Sequence, residues 1–149
     1  MSTRLHLAGP DDLDRLLKLT ADFSTEMGIE TDPDHRTKAL MPLLEGSPHG
    51  AVYVIGPSKS PVGYVILSFG WSLEFGGMDG FVDELYIRPA VRGRGMASDV
   101  LYSLPKALKD AGLKALHLEV DRANEPAQKL YRRARFAPRE RFMLMSRVL

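Results

Sequence analysis

Residues 88 to 98, Arg-Pro-Ala-Val-Arg-Gly-Arg-Gly-Met-Ala-Ser, set two arginines and two glycines between a run that reads as a strand and a run that reads as a helix. Those residue types at such a junction suit an anion. Glycine lets the main chain approach a ligand closely, and the free N–H groups and positive dipole end of the following helix point at it. Arg92 and Arg94 add mobile positive charge. A phosphate or diphosphate is the natural guest. Two familiar nucleotide patterns do not fit. The Gly-Lys-Ser/Thr ending of a P-loop is absent, and Ser98 stands where the dinucleotide fingerprint wants its third Gly or Ala. An arginine-rich turn with no ligand is the plainer alternative.

Other residues could do chemistry near such a site. Asn124 and Tyr131 lie seven residues apart, about two helical turns on one face, so both can address one ligand. Asp83 and Glu84 are adjacent in a β-rich run and therefore point to opposite faces. Glu84 then shares its face with Tyr86, and Asp83 with Leu85 and Ile87. Glu119, on the next strand, is an outside candidate for a base. The histidines His6, His35, His49 and His117 form no metal pair at helical spacing, so no metal is expected. The chain has no cysteine, which excludes disulfides, thiolate ligands and a thiol nucleophile. The segment Gly-Trp-Ser-Leu-Glu at 70–74 misses the Gly-x-Ser-x-Gly elbow of a serine hydrolase.

The elements that must position these residues follow from pattern. At 149 residues the expectation is one domain, 1–149, around one core. Hydrophobic residues at 44%, charged residues at 26% and a net charge of +1 describe an ordinary globular chain with no bulk attraction to nucleic acid or membrane. No stretch approaches the roughly 20 apolar residues of a membrane span, and no signal peptide is visible, so a cytoplasmic location is the default. A short strand at 4–8 precedes a helix carrying Leu13, Leu16, Leu17 and Phe23. A weaker helix follows over 32–46, interrupted by Pro42. From Ala51 three β-rich runs form an antiparallel meander whose last hairpin closes at Gly76 and Gly77. A helix over 96–112 carries Pro105, which predicts a kink, and leads by a right-handed crossover to a parallel strand at 114–120. A helix capped by Asn124 and a closing strand at 141–149 complete the chain.

Three of these pieces carry a resemblance. Arg92-Gly-Arg-Gly95-Met-Ala97 resembles the Arg/Gln-x-x-Gly-x-Gly/Ala signature of the GNAT acetyltransferase superfamily. The run Asp-Glu-Leu-Tyr-Ile-Arg-Pro before it is similar to that family's central strand. Asn124, Ala127 and Tyr131 are similar to its Asn-x-x-Ala-x-x-x-Tyr segment. The resemblance covers residues 79 to 136 and implies an α+β fold: a mixed sheet, an antiparallel N-terminal meander, a splayed parallel strand pair, and helices on both faces. It implies that acetyl-coenzyme A is the cosubstrate, its diphosphate held by the main chain of Arg92, Gly93, Arg94, Gly95, Met96, Ala97 and Ser98. Leu85, Tyr86 and Ile87 would lie along the pantetheine arm, with Asn124 and Tyr131 completing the donor site. Tyr131 would donate a proton to the departing thiolate, and the Leu85 N–H would polarise the thioester carbonyl. Glu84 is the favoured base. The family usually has Gly-Phe where this chain has Arg135-Phe136, so a turn that glycine would make freely is either rearranged or strained.

The resemblance also assigns acceptor choice to the first two helices and the hairpin before the central strand. Glu26, Trp71, Glu74 and Asp83 are the candidate acceptor contacts there, and their acids suit a small cationic amine. A protein N-terminus or lysine is the alternative acceptor, and a coenzyme A-binding module without turnover is the alternative class. The apolar run Phe142 to Met145 leaves a homodimer open.

Overall fold

A computed structural model describes residues 3–149, which fall into two compact units divided between Glu119 and Val120. The first begins with strand β1 (Leu5–Leu7) and a 3-10 turn at Pro10–Asp12, where the Asp12 carboxylate accepts the Gly9 N–H at 2.9 Å. Helix α1 (Leu13–Met27) buries Leu16, Leu19 and Thr20 and stops at Gly28, whose φ of 70° is the left-handed turn glycine makes without strain. Helix α2 (Pro33–Leu44) opens with Pro33 at its first position and with the Asp32 carboxylate accepting the His35 N–H at 2.7 Å. Pro42 does not interrupt it, against the expectation from sequence. The proline lies in the last turn, where only one main-chain bond is forfeited, and burial of Leu40 and Leu44 on one face carries the helix past it.

Four further strands, β2 (Gly50–Ile55), β3 (Gly63–Ser72), β4 (Gly77–Ile87) and β5 (Ala115–Leu118), join β1 in one sheet of order β1-β2-β3-β4-β5. The first four are antiparallel and β5 runs parallel to β4. Helix α3 (Met96–Asp110) makes the crossover between that parallel pair, unbroken at Pro105. Alternation along the strands supplies both faces of the sheet with a core. Val52, Val54, Tyr64, Ile66 and Tyr86 pack with Leu16, Leu19, Leu40 and Leu44 of α1 and α2. Ile55, Val65, Leu67, Val82 and Ile87 pack with Val100, Leu104 and Leu108 of α3. Each such side chain contributes about 1.5–3 kcal/mol by leaving water. The mixed sheet with helices on both faces expected from sequence is thus formed.

The second unit contains helix α4 (Glu125–Arg133), capped by the Asn124 side chain, which accepts the Ala127 N–H at 3.1 Å. Arg132 and Arg133 in its last turn complement the helix dipole. Past its end, Arg135 N–H donates to Arg132 O and Phe136 N–H to Tyr131 O, both at 2.9 Å, the paired bonds of a Schellman turn. Arg135 takes the left-handed position with φ 72°. The turn that glycine usually makes is therefore kept and strained, not rearranged. Within this unit the expected closing strand at 141–149 is not formed, because a strand needs a neighbour and the unit holds one helix and no other strand.

Candidate donor and catalytic site

The loop between β4 and α3 places Gly93 at φ 78° and Gly95 at φ 80°, so both glycines stand where L side chains are strained. A Cβ built on either meets nothing within 4 Å, which leaves the main chain open on that side. Arg92 N–H donates to Pro89 O, and the first helical bond of α3 runs from Asp99 N–H to Gly95 O. Between them, the N–H groups of Gly93 through Ser98 find no acceptor among the described residues. Unpaired donors at the positive end of a fifteen-residue helix suit a diphosphate. Arg94 is exposed, as a mobile cation would be.

Arg92 is not mobile. Its Nε donates to Ile87 O at 2.7 Å, and Nη1 and Nη2 donate to the two carboxylate oxygens of Glu26, each at 2.7 Å. Its guanidinium also lies 5.5 Å from the centre of the Tyr86 ring. Hydrogen bonding to Arg92 holds the Glu26 carboxyl below its usual range, and Glu26 raises Arg92 in return. The Arg92 side chain, expected as mobile charge, is thus engaged with Ile87 O and Glu26, and the Glu26 carboxylate is paired with it.

Strand β4 carries the rest. Pairing with β3 shifts register between Ile66 and Leu67, which face Glu84 and Val82, so Asp83 is the extra residue of a β-bulge. Regular alternation would turn Val82 and Leu85 to opposite faces, yet both pack in the α3-side core. Asp83 is exposed and stands outside the alternation assumed for it. The parallel pairing with β5 ends at Val82 and Leu118, where β5 itself ends, so among the described residues no strand pairs with the β5-side edge of β4 from Asp83 onward. Arg88 N–H bonds Val62 O, which by antiparallel alternation sets Tyr86 against Tyr64 as a bonded pair and turns the main chain of Leu85 and Ile87 to the open edge. Of the three residues expected along the pantetheine arm, Tyr86 therefore has its main chain engaged with β3 and its ring buried against α1. Ile87 O is taken by Arg92, so Leu85 and the Ile87 N–H are what the edge offers.

Glu84 lies on the α1 side and accepts a 2.7 Å hydrogen bond from the Tyr64 hydroxyl. Burial pushes its carboxyl above the usual range, against the Tyr64 bond, which lowers it; the Asp83 charge adds to the rise. Tyr64 itself is fully buried, with Tyr86 5.9 Å and Phe23 6.3 Å away between ring centres. Burial and the Glu84 charge push its phenol far up, so it remains a donor. Sequence reasoning missed Tyr64, whose only signal was cross-strand register with β4.

In the second unit, Tyr131 is half-buried, its ring edge-on to Phe136 at 6.2 Å. Burial raises its phenol, which suits a group that must hold a proton. Asn124 is engaged as the helix cap. Of the other acceptor candidates, Trp71 is 74% exposed opposite Met78 on the β3–β4 hairpin, and Glu74 sits in its turn. Nearby, His117 Nε2 lies 3.2 Å from the Asp79 carboxylate, flanked by the Phe75 and Phe81 rings. Glu119, at the end of the first unit, is exposed. Among the described residues no group of three acids or histidines could hold a metal, and no helix is long and apolar enough to cross a membrane.

The unpaired loop amides and the unpaired edge of β4 lie on consecutive stretches of the chain. The profile of the Acetyltransferase (GNAT) family matches residues 13–136, and the chain belongs to that family. It is 30% identical over 143 residues to the mycothiol acetyltransferase of Arthrobacter sp. (strain FB24), a match covering 91% of this chain and 42% of that protein. Thus the chain spans less than half the length of that curated relative. Among solved structures it is similar to an integron cassette protein from the mobile metagenome of Cole Harbour Salt Marsh, with 30% identity, a TM-score of 0.85, and coverage of 97% of this chain and 90% of that one. A structure from Arthrobacter sp. FB24 aligns with a TM-score of 0.82 at 28% identity, covering 98% and 96% of the two chains.

Proposed function

We propose that this chain is an acetyl-coenzyme A-dependent N-acetyltransferase acting on a small cationic amine by direct attack within a ternary complex. The run of unpaired main-chain N–H groups from Gly93 to Ser98 carries the proposal, because it is a ready-made diphosphate cradle beside an open strand edge. Only acetyl transfer is taken from the curated relative. The acceptor is argued from this chain's own residues.

Bound acetyl-coenzyme A supplies a thioester whose acyl carbon is open to attack. The loop amides hold its diphosphate, and Leu85 offers an N–H to the acyl oxygen, where negative charge develops. An alkyl amine is mostly protonated at neutral pH, with a pKa near ~10.4, so a proton must leave before attack. Glu84, its carboxyl raised by burial, is the acceptor of that proton, directly or through a water. Tyr64 fixes the carboxylate by its 2.7 Å hydrogen bond. By family resemblance Tyr131 returns a proton to the sulfur that departs, and its buried phenol stays protonated for that task. The chain has no cysteine to carry the acetyl group, which favours a single displacement.

For the acceptor, Asp83 is an exposed carboxylate beside Glu84, and Trp71 is an exposed ring on the preceding hairpin. Both suit a cation. Free-thiol release measured separately with polyamines, amino sugars, amino acids and peptides tests this. Release with polyamines or amino sugars is expected. Release with peptides alone would replace the small acceptor, and tight coenzyme A binding with no release from the whole panel would leave a binding module.

A further inference from the structure

Arg92 uses every nitrogen of its guanidinium inside the protein. Nε is spent on Ile87 O, and Nη1 and Nη2 on the Glu26 carboxylate. The three contacts come from two places, the end of β4 and the last turn of α1, and join both to the loop that bears Arg92. Glu26 is 66 residues away in sequence, so the pair is a tertiary tie and not a local turn. The Tyr86 ring under the guanidinium gives the tie a floor. Immediately after Glu26, α1 finishes through Gly28 and Ile29, whose N–H groups bond Thr25 O and Ser24 O at 3.2 and 2.8 Å. Ser24, Thr25, Gly28 and Ile29 line an open cleft with Thr31 and Asp32 on the way to α2.

We propose that Arg92 is a positioning residue with Glu26 as its anchor, a strut through which occupancy of the diphosphate loop orders the end of α1 and the cleft beside it. A guanidinium fork against a carboxylate fixes angle as well as distance, which a lysine could not do. The inference rests on the donor site proposed above and assigns the Arg92 side chain a job other than gripping the ligand. That distinction sets the sign of the test. If Glu26 merely detained Arg92, releasing it would free a cation for the diphosphate and tighten binding. If the pair is a strut, releasing it loosens the loop and weakens binding.

The experiment uses the full chain, with coenzyme A as probe. Amide hydrogen exchange without ligand is compared for the native chain and Glu26→Gln, and the strut requires faster exchange at Gly28 and Ile29 in the variant. Calorimetry then gives coenzyme A affinity, with an expected weakening of about two- to fivefold in Glu26→Gln, in keeping with a half-exposed bidentate pair. In an Arg92→Gln background the same Glu26 change is expected to have no further effect, and Arg92→Lys is expected not to rescue. Coenzyme A is also expected to slow exchange at Gly28 and Ile29 in the native chain but not in Glu26→Gln. Unchanged or tighter binding in Glu26→Gln, or additive effects in the double variant, would overturn the strut. A native chain that binds no coenzyme A would instead overturn the donor site, while the ligand-free exchange result would still decide the tie.

Discussion

The Tyr64 hydroxyl lies 2.7 Å from a carboxylate oxygen of Glu84, its cross-strand diagonal neighbour, and donates to it from a fully buried ring. Burial raises Glu84 above its ordinary 4.5 even though this bond favours the charged form. Between 4.5 and that raised value the native chain binds more protons than the unfolded one, so stability falls as pH rises through the window. Glu84→Gln keeps an acceptor for Tyr64 and removes the charge. It is expected to be more stable than the native chain at neutral pH, with the difference closing as pH falls to 4.5. Chemical denaturation across pH measures this, and a gap that stayed constant would mean that Glu84 is not raised. The same variant is expected to lose thiol-release activity, and the native rate to climb with pH as Glu84 ionises.

Tyr131→Phe keeps the ring that packs on Phe136 and removes only the proton donor. Turnover is expected to fall by about 10²-fold or more, the lower end for loss of a general acid, with coenzyme A affinity nearly intact. Steady-state kinetics beside calorimetry separate the two. Unchanged turnover would remove Tyr131 as the acid.

Gly95→Ala tests the cradle without a clash, because a Cβ there meets nothing within 4 Å. Only the backbone objects, at φ 80°, and the cost is about 1 kcal/mol for an L residue in the left-handed region. The expected result is a small loss of thermal stability together with coenzyme A binding weakened about tenfold, equivalent to ~1.4 kcal/mol, as re-aimed N–H groups miss the diphosphate. Full affinity in a folded Gly95→Ala chain would move the diphosphate elsewhere.

Arg135→Gly relieves strain at the end of α4. The φ of 72° carries a penalty for arginine that glycine avoids, partly offset by the greater freedom of glycine in the unfolded chain. A net gain of roughly 0.5–1 kcal/mol is expected, read as a rise in denaturation midpoint. A loss would mean that the arginine side chain is itself a tie.

The sequence carried the parts of this molecule that depend on neighbours in the chain. The glycine-rich strand–loop–helix junction, the Asn124 cap and the antiparallel meander were readable from residue type and spacing, since local rules govern them, whereas the closing strand expected at 141–149 was not formed. What escaped was set by residues far apart. Arg92 read as a mobile cation because nothing near it in sequence competes for its charge, whereas Glu26 arrives only when α1 folds onto the sheet. Tyr86 read as part of the donor edge because alternation along one strand does not tell which neighbour its main chain bonds. Asp83 and Glu84 were placed by strict alternation, which a bulge suspends. Pro42 read as a break because propensity does not weigh Leu40 and Leu44 being drawn inward. The family resemblance implied a role for the loop but not the engagement of its first side chain.

The extra residue at Asp83 falls at the point where β4 parts from β5. One inserted position thus performs two tasks at once: it reverses which way the downstream side chains look, and it coincides with the opening of the seam. Removing Asp83 would bring Val82 and Glu84 side by side opposite Leu67 and Ile66, so Leu85 and Ile87 would keep the α3 side and Tyr86 its aromatic nest. Ironing out the kink with Asp83 retained would instead exchange the two faces of everything after it. Asp83 is therefore spare to the pairing, and its carboxylate can leave the strand without disturbing either core.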